Sequence, residues 1–142
     1  MHPPPRNTKS HGSRPEVSSA GGVYLVRYPT EAQMQPEAQA EWVALLRREG
    51  LHRPVGVVFV LGDAVQLVST AVPAFWLEVT GALRGQLVAM AMVTSSVMVR
   101  AAASGFRLTN VVRRIPLAVR SFEQEAEALQ WVREAVALPR QD

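Results

Sequence analysis

The sequence predicts an α/β fold with a mostly parallel four-stranded sheet and four alternating helices. Two runs, VGVVFVLG at 55–62 and QLVAMAMV at 86–93, are apolar at nearly every position. Continuous rather than alternating hydrophobicity suits a strand covered on both faces, as in a parallel sheet. Each run is followed by a longer segment whose apolar residues recur at helical spacing, and this change of period occurs four times along the chain.

The first unit begins with VYLVRY at 23–28, rich in β-branched and aromatic residues, bounded by Gly21–Gly22 and closed by Pro29. A helix is expected over 36–49. Pro36 suits its first turn, Trp42, Leu45, Leu46 and Glu49 fall at helical spacing, and Gly50 suits its stop. After the strand at 55–62 and a turn at Gly62–Asp63, a second helix is expected from Val72 to Leu83. Ser69 or Thr70 would lie near its cap and Pro73 in its first turn.

The strand at 86–93 leads to Thr94–Ser95–Ser96 as a cap, then to a helix through about Ser104 that Gly105 would end. A short strand is expected over Ile115–Arg120, at an edge or with Pro116 at its start, since proline cannot donate to a ladder. Ser121 would cap a last helix over 123–137, where Glu123, Glu125 and Glu127 favour the helix dipole. Right-handed crossovers limit the topologies. The order expected has the second strand outside the first, with the third and fourth on the other side.

One domain over 22–138 accounts for the chain of 142 residues, with a disordered tail at 1–21 and a short C-terminal tail at 139–142. The tail, rich in Pro, Ser, Gly and charge, cannot bury enough surface to offset its ordering entropy. It has no apolar core of a signal peptide, which points to a cytoplasmic protein. Arg6, Lys9 and Arg14 make it weakly basic, and His2 and His11 are too sparse for a metal site. The uncharged stretch 85–99 is too short to span a membrane.

The chain has no cysteine, which removes disulfides, thiolate zinc sites and cysteine nucleophiles. Its net charge of +3 is carried almost wholly by arginine. These arginines are dispersed rather than clustered as a phosphate-binding face requires, so no nucleic-acid partner is expected. The arginine, alanine and valine usage fits a GC-rich genome.

The ending is the most specific part: VAMAMVTSSVMVRAAASGF, a connection with Arg113–Arg114, then IPLAVRSFEQEAEALQWVREA. With Phe122, Ala128, Leu129, Trp131 and Val132, it resembles STAS-like domains. These are related to the sporulation anti-anti-sigma factor and its SpoIIAA-like relatives, with such endings in GC-rich bacteria such as myxobacteria. The resemblance covers residues 23–137. It implies a non-enzymatic regulatory module that binds another protein or itself. It also implies a regulatory phosphate at an Asp-Ser-Ser-Gly sequence before the second helix. Ser69 and Thr70 match the hydroxyl pair as candidate phospho-acceptors, but Val68 stands in place of the Asp and Ala71 in place of the Gly.

No catalytic constellation is legible. Asp63, Glu78 and His52 are the main titratable groups off the helix faces, and no motif links them. No glycine-rich phosphate loop follows a strand, and no cofactor or metal is expected. Asp63, Thr94, Ser95 and Ser96 lie where open α/β sheets bind ligands, at the carboxyl edge, and are candidates for an anion or ligand edge. Turn formation and helix capping account for the same residues. Met90, Met92 and Met98 could line a pocket for a lipid-like ligand near Trp76, or fill the core. Phe75 and Trp76 are adjacent on one helix, about 100° apart, so one is expected to be exposed as an interface anchor.

Overall fold

The computed structural model describes residues 14–67 and 69–138. The expected tails at 1–13 and 139–142, and Val68, lie outside the described residues. The strands are β1 (Glu16–Ala20), β2 (Val23–Tyr28), β3 (Val55–Leu61), β4 (Leu87–Val93) and β5 (Ala118–Phe122). The helices are α1 (Pro36–Gly50), α2 (Ala71–Ala82), α3 (Val97–Val112) and α4 (Glu125–Ala137), with a 3-10 turn at Glu31–Met34.

The sheet has five strands in the order β1-β2-β3-β4-β5. β1 runs antiparallel to β2, and the remaining pairs are parallel. Two expectations are corrected here. Residues 16–20 pair with β2 instead of belonging to a disordered tail. The four parallel strands also follow one another in chain order, so the second does not lie outside the first in the sense expected. The two corrections have one cause. Gly21 and Gly22, both at positive φ (61° and 86°), form a two-residue hairpin turn of the kind that brings β1 against β2. With that edge of β2 taken, β3 pairs on the other side.

Sequential crossovers of one hand deliver their helices to one face. Trp42, Val43 and Leu46 of α1, Val72, Trp76 and Val79 of α2, and Val99 and Ala103 of α3 share one core. Tyr24, Val26, Tyr28, Val57, Phe59, Met90 and Met92 from the strands complete it. The opposite face carries α4 alone, whose Ala128 and Val132 pack on Val23, Val58, Ala89 and Ala91. Gly56 of β3 sits under it. A Cβ there would lie 2.5 Å from Val132 Cγ1, so the missing side chain is what lets α4 approach the sheet. Arg27 of β2 clamps the start of this helix with a two-pronged pair to Glu125 (2.8 Å each) and a longer contact to Glu16 of β1.

Three boundaries also differ from the sequence reading. α3 does not stop at Ser104 but continues through Gly105 to Val112. A glycine ends a helix when it takes the left-handed conformation, and Gly105 does not. Beyond it, buried Asn110 holds the helix by donating to Phe106 O (3.1 Å) and accepting from the Thr80 hydroxyl of α2 (3.1 Å). The last strand is Ala118–Phe122, starting three residues and ending two residues later than expected, because Pro116 falls in the tight connection where Leu117 N–H donates to Ile115 O. Ser121 is consequently a strand residue, and Gln124 holds the N-cap position of α4 without a side-chain cap.

The β2–α1 interface contains two tyrosines in apolar surroundings. The Tyr28 hydroxyl donates to Gln39 Oε1, and burial holds its phenol well above the usual range. The Tyr24 hydroxyl donates to Glu49 at 2.5 Å, and burial followed by that carboxylate pushes its pKa from 10.0 up to about 12. Once unfolded, Tyr24 ionises near pH 10 while the folded phenol stays protonated to about pH 12. Its contribution to stability is therefore intact below pH 10 and is lost as pH rises towards 12. Denaturant midpoints should fall through this alkaline window, and Tyr24→Phe should flatten part of the fall. An unchanged slope in that variant would contradict the assignment.

Candidate functional site

Ser69 and Thr70 precede α2 at the carboxyl edge of the parallel strands, as expected. Both sit in a locally constrained segment: Leu67, a residue with a Cβ, takes a φ of 58°. The Ser69 hydroxyl accepts from Ala71 N–H at 3.2 Å, and its own N–H donates to Glu31 Oε2 at 2.7 Å. Ser69 thus spans two elements, since Glu31 begins the 3-10 turn after β2. Thr70 occupies the N-cap position of α2 in a helical conformation and makes no side-chain capping bond.

Thr94, Ser95 and Ser96 precede α3 at the same edge. Thr94 Oγ1 accepts from Ser96 N–H (3.0 Å), and Ser96 Oγ caps the helix by accepting from Val99 N–H (3.2 Å). Thr94 is buried, with its N–H given to Phe122 O, while Ser95 is exposed. Asp63 is exposed in the turn after β3. His52 lies before β3, at the other end of that strand, and Glu78 points outward from α2. These three titratable groups do not converge. Among the described residues, no group of three or more His, Asp or Glu could hold a metal ion. No helix among them is long and apolar enough to cross a membrane.

The aromatic pair on α2 divides as its spacing requires, but in the sense opposite to an anchor at Trp76. Trp76 is 4% exposed, with its ring 5.0 Å from that of Phe59 and 5.7 Å from that of Trp42. Its indole places it in the core; Phe75 is the half-buried member and packs edge-on against it. Trp76 Nε1 is buried with no hydrogen-bond partner among the described residues. A wholly apolar cavity of about 90 Å³ lies beside it, between the sheet and α2–α3, walled by Phe59, Val72, Met90, Met92, Ala103 and Phe106 among others. Met90 and Met92 are where a pocket reading puts them. Met98 is not: it is three-quarters exposed on the outer side of α3.

That outer side is the feature the sequence reading missed. Val97, Met98, Leu108, Val111 and Val112 are all exposed there, together with Ala101, Ser104 and Gly105. The inner side of the same helix is apolar too, through Val99, Ala103 and Phe106. A helix apolar on two opposite sides, with its charge confined to Arg100 and Arg107 on one flank, is expected to be covered on both. The signal was available in VMVRAAASGFRLTNVV, but ending the helix at Gly105 cut the pattern in half.

No known protein family matches the sequence, and no curated protein matches it. The fold has a solved counterpart in an uncharacterized protein of the DUF3478 family, described as having a SpoIIAA-like fold, from Shewanella loihica PV-4. The two share 16% identity, with a TM-score of 0.51 over 83% of this chain and 91% of that one. Four sequential parallel strands, three helices on one face and a fourth on the other thus make an α/β domain with a SpoIIAA-like fold.

Proposed function

We propose that this chain is a non-enzymatic, STAS-like regulatory module that works by binding protein through the outer face of α3. The observation that carries the reading is the exposed apolar row from Val97 to Val112 on a fold whose titratable groups are scattered. Contiguous exposed apolar surface of several hundred Å² marks interaction sites rather than ordinary solvent-facing surface.

The segment Ser69–Thr70 is the control point in this reading. A phosphate on Ser69 would bring about two negative charges beside Glu31, which now accepts the Ser69 N–H. Like-charge repulsion would break that contact and release the 3-10 turn from the start of α2. Modification would thus act by loosening a joint, with Leu67 already in a conformation of higher energy next to it.

A second reading is favoured by the cavity beside Trp76, whose lining suits a small apolar ligand. Native mass spectrometry of protein purified from its own cells should then show a bound apolar compound that Ala103→Leu, which fills the cavity, removes. Clean apo protein would contradict this second reading.

The protein-binding reading is tested by photo-crosslinking in the producing cell. A photoreactive residue at Met98 should give discrete protein adducts, and one at Glu134, exposed on α4, should give none. Equal or absent adducts at the two positions would overturn it.

A further inference from the structure

We infer that the partner of the outer α3 face is a second copy of this chain, packed antiparallel about a two-fold axis between Ser104 and Gly105. The inference rests on the protein-binding reading and names its partner. Of the exposed residues of α3, eight point most directly away from the buried side at 100° per residue: Val97, Met98, Ala101, Ser104, Gly105, Leu108, Val111 and Val112, with Ala102, Arg107 and Thr109 on the flanks. When the helix is laid against itself with its direction reversed, these eight form a closed set. Val97 then stands level with Val112, Met98 with Val111, Ala101 with Leu108, and Ser104 with Gly105, the members of each pair lying to either side of the midline of the face, so that Ser104 lies beside its own copy at the axis.

This register is what an isologous contact requires, since residue i meets residue j and j meets i. The sizes follow the same symmetry. The bulky residues stand at the two ends, and the smallest, Ser104 and Gly105, stand at the axis. Small residues at a crossing let two helices approach to the short end of the usual 8–10 Å separation, and the bulky ends can then close over the contact. Antiparallel helices also set opposite dipole ends side by side. No charged residue is among the eight. Arg100 and Arg107 lie on the margin, and Arg100 is already paired with Glu123 at 3.4 Å.

The area is of the right size. Val97, Met98, Leu108, Val111 and Val112 are 71, 75, 59, 62 and 78% exposed. With the small residues between them, they offer several hundred Å² of apolar surface per copy, on the scale of the ~800 Å² that each partner buries in a standard interface. The segments outside the described residues do not suit this face. Residues 1–13 (MHPPPRNTKSHGS) and 139–142 (PRQD) are polar. A lipid surface is favoured by aromatic anchors, and this face has none; it carries a hydroxyl and a glycine at its centre instead.

The test is sedimentation velocity on the full chain from micromolar to sub-millimolar concentration, with two variants chosen to separate close packing from simple stickiness. The wild type should show a concentration-dependent dimer. Leu108→Glu should be monomeric with an unchanged melting temperature. At Gly105 a Cβ would meet nothing within 4 Å in the single chain, so Gly105→Leu leaves the monomer intact and makes the face more apolar. It should nevertheless weaken the dimer at least tenfold, because it fills the crossing point. Unchanged or stronger association in Gly105→Leu overturns the two-fold packing, as does a wild type monomeric throughout. Vesicle co-sedimentation of such a monomer would assign the face to lipid instead. Adducts from Met98 to a different protein, with a monomeric wild type, would leave the protein-binding reading standing and remove only the second copy.

Discussion

Each parallel crossover between neighbouring strands carries its helix to the same side of the sheet, and this constraint organises the molecule. Because β2, β3, β4 and β5 follow in chain order, α1, α2 and α3 must stand in a row on one face. The opposite face is left to α4. One helix can cover the middle of a five-stranded sheet only by lying close to it, and Gly56 makes that approach possible under Val132. Arg27 then fixes the helix start through Glu125. A row of helices also has two ends. Among the described residues, α3 is flanked by α2 on one side and by no helix on the other.

The exposed apolar face is a consequence of that position combined with the composition of α3. In a helix of average sequence, the outer side at the end of a row is polar. Here the inner side supplies Val99, Ala103 and Phe106 to the core, and the outer side is equally apolar. Thr80 and Asn110 hydrogen-bond across the α2–α3 contact, so the face is presented from an anchored helix. Rigid presentation matters for binding because it reduces the entropy lost on association. The same anchoring separates the two functional readings: the cavity lies on the inner side of α3 and the docking face on the outer side.

The four strand–helix units could be read from the sequence because the signal at each is strong over a long stretch. VGVVFVLG has no polar position and QLVAMAMV has only Gln86, and Pro36 and Ser96 mark helix starts by well-understood chemistry. β1 was not legible. EVSSA is wholly exposed at the sheet edge, and only pairing with β2 gives it order. Strand order failed with it, since the missing hairpin determines which edge of β2 is free. Gly105 misled because glycine stops a helix only when the backbone turns left-handed, a tertiary outcome that composition does not encode. The partition of Phe75 and Trp76 was half legible: their 100° separation requires different environments, but which one is buried depends on where Phe59 and Trp42 lie.

The central claim, that α3 docks on its own copy across Ser104 and Gly105, can be measured with one engineered residue because the chain contains no cysteine. Ser104→Cys places a thiol within one residue of the proposed axis. Under mild oxidation it should give a disulfide-linked dimer rapidly and nearly to completion, while a cysteine at Glu134 on α4 should stay largely monomeric. Slow linking at Ser104→Cys, no faster than at the α4 position, would contradict the account.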